Sequence, residues 1–193
     1  MNTFLFFSGN KNKINEVKNL FNSFSLNILS SVNYNIISEP KENGRTFAEN
    51  AKIKSTYGYR KTKIPCFADD SGLCINALKG GPGVTSKRFI NRFKNRTECF
   101  EYIQKKITET KNNKAFFKTS ICLTTRKDYH ICFEGKVSGI ISEKILGENG
   151  FGYDPIFIPD GYKKSFAQMT MRQKNFLSHR SVAINKLINF LTN

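Results

Sequence analysis

Four short stretches of this chain carry residues suited to binding an anion, holding a metal or moving a proton. The first is Ser8-Gly9-Asn10-Lys11-Asn12-Lys13. It sits between an apolar run and a helical pattern, so it would offer backbone N–H groups and a positive dipole end to an anion. Gly9 lets a ligand approach the backbone, and Lys11 and Lys13 add charge. The Walker pattern G-x-x-x-x-G-K-[ST] is absent, and taken alone the stretch is equally a polar connection. The second is Asp69-Asp70-Ser71-Gly72, at the end of a short apolar run. Adjacent carboxylates repel, and a divalent cation with oxygen ligands is one reason to place them together. Asp70 would then hold metal or accept a proton from water. The bland alternative is a solvated turn in which Asp69 caps a helix.

The third stretch is Gly150-Phe151-Gly152-Tyr153-Asp154-Pro155. Aromatic residues separated by glycine suit a loop that stacks on a flat base. Asp154, set by the proline after it, is placed to meet a base or ribose. A turn with buried aromatics fits the same residues. The fourth is Lys174 with Ser178-His179-Arg180, where His179 and Arg180 are hydrogen-bond donors on the first turn of a helix. Glu42 is a surface glutamate unless the fold carries it to Asp70 as a second metal ligand. Lys54 is a solvated helical lysine unless it reaches phosphate. His130 receives no role.

The elements that must position these residues follow from periodicity. Residues Thr3 to Phe7 read as a buried strand, and Ile14, Val17, Leu20 and Phe21 recur at helical spacing. Asn33 to Arg45 reads as a polar loop. Thr46 and Glu49 have capping-box spacing for a second helix running towards Gly58. Ile64 to Ala68 is a strand ending at Asp69, and Gly80 to Gly83 is a loop. Thr97 to Ile107 is helical. Ala115 to Thr125 and Tyr129 to Val137 are strands joined by a turn at Arg126-Lys127-Asp128. A third strand covers Gly139 to Ile145, and a short one Ile156 to Ile158. The last helix has Ser178 as N-cap and Ile184, Leu187, Ile188 and Leu191 on one face. Early alternation of strand and helix with a hairpin in the middle implies an α/β fold with a mixed sheet.

At 193 residues the chain is expected to form a single domain over 1–193, although two lobes around one sheet fit the same length. No apolar run reaches the roughly 20 residues of a membrane helix. The N-terminus lacks a basic region and cleavage site, so a cytoplasmic protein without membrane partners is expected. Cys66, Cys74, Cys99, Cys122 and Cys132 lack C-x-x-C spacing and read as small core residues in a reducing compartment, neither disulfide frame nor zinc site. The net charge of +16 admits nucleic-acid binding, but the charge is spread along the chain, and Asn, Lys, Ile and Phe are abundant together as A/T-rich coding would make them. A specific nucleic-acid partner is therefore not expected.

In order, the four stretches resemble the inosine triphosphate pyrophosphatase family. The matching residues are Ser8-Gly9-Asn10 with Lys13, and Gly44-x-Thr46-Phe47-x-Glu49-Asn50-Ala51 with Lys54. They continue as Ala68 to Leu73, Pro82-Gly83-Val84 with Ser86 and Arg88, Gly150 to Pro155, and Lys174-Asn175 through Ser178-His179-Arg180. The resemblance implies an α/β fold with an elongated mixed β-sheet flanked by helices, two lobes and a cleft between them, and a homodimer. It implies Mg²⁺-dependent hydrolysis of non-canonical purine nucleoside triphosphates (ITP, dITP, XTP) to the monophosphate and pyrophosphate. Carried over by position, Ser8 to Lys13 and Lys54 meet the triphosphate, Glu42 and Asp70 hold the metal, and Asp70 is the catalytic proton acceptor. Ser71 contacts substrate, and Phe151, Gly152, Tyr153, Asp154, Lys174, His179 and Arg180 form the base end. Ser8, Asn43, Thr85, Lys87, Gln168, Arg172 and Gln173 depart from the usual family residues. A basic nucleic-acid-binding protein, a nuclease and a pyrophosphatase for another modified nucleotide are the rival readings.

Overall fold

The computed structural model describes residues 2–22, 24–34, 38–127 and 129–192. Its strands are β1 (Asn2–Phe6), β2 (Leu26–Ser30), β3 (Cys66–Ile75), β4 (Lys114–Arg126), β5 (Tyr129–Ile141) and β6 (Phe157–Pro159). Its helices are α1 (Lys11–Phe21), α2 (Phe47–Thr62), α3 (Ser86–Ile90), α4 (Arg96–Thr110), α5 (Met171–Leu177) and α6 (His179–Thr192). The strands form one sheet in the order β2-β1-β3-β4-β5-β6. β1 pairs in parallel with β2 and β3, with Leu5 opposite Cys66, whereas β5 and β6 are antiparallel. The fold is thus α/β with a mixed sheet. No described helix is long and apolar enough to cross a membrane.

The chain divides into two compact units. The first holds residues 1–70, 119–135 and 180–193, and the second residues 71–118 and 136–179. In the first unit β1 is apolar on both faces, as a central parallel strand must be. Phe4 and Phe6 pack with Ile14, Val17 and Phe21 of α1 and with Ala183, Ile184, Leu187 and Ile188 of α6. Leu5 and Phe7 face the other way, with Cys66, Ala68 and Tyr57 of α2. The second unit has its own core, in which Leu73, Ile75, Phe100, Ile103, Phe117, Phe157 and Phe166 are buried together.

Several elements differ from the expectation. β3 does not stop at Ala68 but runs through Asp69-Asp70-Ser71-Gly72 to Ile75. α2 passes Gly58 and ends at Lys63, whose φ of 59° is left-handed. Gly58 is a contact glycine, since a Cβ there would lie 2.5 Å from Cys66 Sγ. β5 continues unbroken to Ile141, so the expected third strand from Gly139 to Ile145 does not form. Strand β2 and helices α3 and α5 were not anticipated. The first expected loop includes residues 35–37, and the expected turn includes Asp128, all outside the described residues.

The cysteine expectation also needs one correction. Cys122 and Cys132 form a disulfide between β4 and β5, with their Cα atoms 4.0 Å apart. Neighbouring strands set them opposite each other, a register that spacing along the chain does not reveal. Cys66, Cys74 and Cys99 are free and buried. Burial pushes all three thiols up, Cys99 to about 11, so they are unreactive core residues as expected.

Candidate active site

The two aspartates in β3 meet different partners because a strand turns successive side chains to opposite faces. Asp69 points to the side of α1 and α6. Its carboxylate meets Lys13 Nζ at 3.0 Å and accepts from Arg180 Nη2 at 3.1 Å and Nε at 3.2 Å. Arg180 Nη1 also donates to Glu16 of α1. Asp69 and Arg180 are each only 1% exposed, so this is a buried chain of alternating charges. Burial alone would raise the Asp69 carboxyl, but Lys13, then Arg180 and Lys54, outweigh it and hold the group well below the usual carboxylate range. Burial opposes charge on Arg180, yet Glu16 and Asp69 hold it firmly protonated.

Asp70 points to the side of α2. Asn50 Nδ2 donates to its Oδ2 at 3.0 Å, and Lys54 Nζ lies 3.6 Å from Oδ1. Lys54 Nζ also lies 3.3 Å from Glu42 Oε1. One ammonium therefore gathers the two carboxylates assigned to metal. Asn50 is fully buried and works twice, because its Oδ1 accepts from Gly44 N at 2.8 Å and so ties the Glu42 segment to Asp70. Gly44 permits this approach, since a Cβ would stand 2.6 Å from that oxygen. Burial dominates at Asp70 and pushes its carboxyl up, despite Lys54, Lys13 and the Asn50 bond. The Lys54 ammonium is raised: burial works against it, but Asp70, Asp69 and Glu42 prevail.

The anion-binding stretch lies in the same unit. Asn10 caps α1, its side chain accepting from Asn12 N and Lys13 N. Ser8 Oγ accepts from Asn10 N at 3.2 Å, and Gly9 N donates to Glu39 Oε1 at 3.2 Å. Lys11 and Asn12 are exposed. Thr46 caps α2 as its spacing foretold, but Glu49 Oε2 returns to Arg45 N at 2.6 Å, one residue before the cap.

The second unit gathers the other candidates. Asp154 Oδ2 accepts from Phe151 N and from Lys174 Nζ, both at 2.7 Å. Lys174 Nζ also lies 4.6 Å from the centre of the Phe151 ring, within cation–π range. Gly150 and Gly152 have φ of 75° and 60°, the conformation that requires glycine here. Tyr153 is 4% exposed and its hydroxyl donates to Ser86 O at 2.8 Å, so its side chain belongs to the core and not to an open face. His179 is buried and stacks on Phe117, ring centres 4.7 Å apart. Ser71, half-buried, follows Asp70 in β3.

Arg180 is the candidate the structure moves. The sequence grouped it with Lys174 and His179, but its guanidinium belongs to Asp69 and Glu16 of the first unit. Successive helical residues point about 100° apart, so neighbours at the start of α6 need not share a face. Glu16, Asn50 and Glu39 were missed. Asn50 lay within a matching stretch, and a glutamate between Ile14 and Val17 on the apolar face of α1 was a signal for Glu16. Two departures from the family are explained locally. Gln168 Oε1 accepts from Ser165 N at 3.0 Å and Gln173 Oε1 from Thr170 N at 2.9 Å, so both keep a capping bond without the acidic charge.

Among the described residues no group of three or more His, Cys, Asp or Glu is placed to hold a metal. The pair Glu42 and Asp70 does fit Mg²⁺, which takes one or two carboxylates and completes its shell with water and phosphate oxygens.

Comparison with known proteins agrees along the whole chain. The Ham1 family model matches residues 4–190. A dITP/XTP pyrophosphatase of Flavobacterium johnsoniae is 39% identical over 188 residues, covering 97% of each chain. One from Clostridium perfringens is 38% identical, covering 97% of this chain and 96% of its own. The HAM1 protein from Coxiella burnetii superposes with a TM-score of 0.88 at 30% identity, covering 100% and 99% of the two chains. The Staphylococcus aureus Ham1 protein does so at 0.85 and 36%, covering 98% of each. With its parallel β1 core, capped α1 loop and paired β3 aspartates, the chain belongs to the Ham1 family.

Proposed function

We propose that this protein hydrolyses non-canonical purine nucleoside triphosphates, dITP, ITP and XTP, to the monophosphate and pyrophosphate. The observation that carries the reading is the gathering of Glu42, Lys54 and Asp70, with Lys13 held by the adjacent Asp69, in a chain so similar to dITP/XTP pyrophosphatases over nearly its full length. Ser8 to Lys13 take the triphosphate, and Lys13 and Lys54 stabilise charge that develops on the departing pyrophosphate. Glu42 and Asp70 would hold Mg²⁺, which when bound neutralises phosphate charge. Asp70, made more basic by its burial, takes a proton from the water that attacks the α-phosphorus. A bond forms from water oxygen to that phosphorus as the bond to the bridging oxygen breaks. Asp69 does not touch the reacting atoms in this scheme but fixes Lys13.

Phe151, Gly152, Asp154, Lys174 and His179 are assigned to the base, with Ser71 as a further contact. His179 is the donor assigned to the 6-oxygen, because Arg180 is bound to Asp69 and Glu16. ATP presents an amino donor at that position, so donor would face donor. A site built for a hydrogen bond discriminates by about 10⁴ when partners are left unpaired. Pyrophosphate release over a panel of triphosphates with Mg²⁺ is the test. ITP, dITP and XTP are expected far ahead of ATP, and equal turnover of ATP and ITP would refute the selectivity argument. The reading includes a cytoplasmic homodimer, which sedimentation equilibrium checks for subunit number.

A further inference from the structure

The loop assigned to the triphosphate already carries an anion. Gly9 N donates to the carboxylate of Glu39, 30 positions away in the chain, at 3.2 Å. Gly9 is what permits this contact, because a Cβ there would stand 2.5 Å from the same oxygen. The neighbouring donors are closed locally: Asn10 N on Ser8 Oγ at 3.2 Å, and Asn12 N and Lys13 N on Asn10 Oδ1 at 3.0 and 3.3 Å. Those three bonds are neutral and shape the loop. The Glu39 bond differs from them in being charged, in coming from a distant segment and in ending on an exposed side chain. Ser38, just before it, is held to the Tyr57 hydroxyl of α2 at 2.5 Å, so Glu39 can swing away by side-chain rotation while the backbone stays.

We propose that Glu39 is a displaceable stand-in for phosphate, seated on the Gly9 amide in the free enzyme, expelled by the incoming triphosphate and returning as pyrophosphate leaves. The inference rests on the assignment of Ser8–Lys13 to the triphosphate. One N–H cannot serve two anions, and a carboxylate left beside a phosphate repels it. The loop's apparent affinity is therefore lowered by the fraction of molecules in which Glu39 is seated. The same competition helps clear product, which shares its phosphates with the substrate.

The test is calorimetric binding of Mg²⁺-pyrophosphate to the wild type, Glu39→Gln and Glu39→Ala, with steady-state kinetics on ITP. Glu39 is exposed, so neither substitution threatens the fold. Glu39→Ala is expected to bind pyrophosphate about five-fold more tightly, the equivalent of one modest hydrogen bond, with a lower KM and stronger product inhibition. Glu39→Gln, which keeps the acceptor but loses the charge, should lie between. Unchanged affinity in Glu39→Ala overturns the proposal. So does weakened affinity, which would make Glu39 a group that holds the ligand. The Gly9 amide resonance of the wild type separates the two layers of the argument. If it shifts with pyrophosphate while Glu39→Ala binds as before, the loop assignment stands and the stand-in role falls. If it does not shift, the loop assignment falls and takes the proposal with it.

Discussion

Asp69→Asn and Asp70→Asn should have opposite consequences although the residues are adjacent. Asp69 pairs with Lys13 and shares Arg180 with Glu16, all in a buried setting. Neutralising it leaves two cations facing one glutamate. Removing one partner of a buried pair costs about 3–5 kcal/mol. The lower end, about 3 kcal/mol, applies because Asn retains one acceptor oxygen and Glu16 still holds Arg180. For a chain of this size that is a fall in Tm of about 6–12 °C. Asp70 differs because burial raises its carboxyl, so the folded state favours the protonated, neutral form. A group raised on folding stabilises below its unfolded value, and that contribution is lost as pH rises through the folded value. At neutral pH the Asp70 charge therefore opposes folding, and Asp70→Asn should hold or raise Tm. Its activity should fall by about 10²–10⁴, the usual share of a general base. Thermal and urea unfolding, run beside pyrophosphate release from ITP, read both quantities. A stable Asp69→Asn enzyme together with an unstable Asp70→Asn one would refute the division of labour between the two faces of β3.

Three further outcomes follow from the same geometry. In the metal-free protein the Asp70 carboxyl should titrate above its ordinary value, because burial outweighs Lys54, Lys13 and the Asn50 bond, and an NMR titration that found it lowered would refute this account of its setting. Asp69, held low, keeps its stabilising contribution at mildly acidic pH and loses it only as pH falls through its depressed value, so acid unfolding in this window should not trace to it. Glu42→Gln should raise the Mg²⁺ concentration for half-maximal activity about tenfold with little change in Tm, as expected for loss of one charged ligand from an exposed segment. Lys174→Met should destabilise the protein by about 3–5 kcal/mol in urea, because it removes the ion-pair partner of the buried Asp154 carboxylate.

Local chemistry was legible without coordinates. The apolar run ending at Phe7, the helical spacing of Ile14 to Phe21, the cap at Thr46 and the glycine-spaced aromatics at 150–154 are properties of neighbours in the chain. Each is governed by backbone preference or side-chain period acting over a few residues. Together they identified an α/β fold and the stretches that make up the family. The elements missed were those in which propensity is weak and context strong: β2, the single-turn α3 and the seven-residue α5. Even for α5 a capping-box spacing at Thr170 and Gln173 was there to be read.

What the sequence alone determined, then, was the α/β class and the stretches by which the chain belongs to its family. Only the tertiary structure decided their partners. Asp69 and Asp70 look alike as a pair, and β3 separates them because its backbone continues through them and turns them to opposite faces. Arg180 looks like a companion of His179, and α6 sends it to Asp69 and Glu16. Cys122 and Cys132 look like core thiols, and strand register joins them. For Arg180 the deciding quantity is a distance between groups far apart in the chain, the 3.1 Å to Asp69 across 111 positions. That distance is set by packing of whole elements against a common core, which no local pattern encodes.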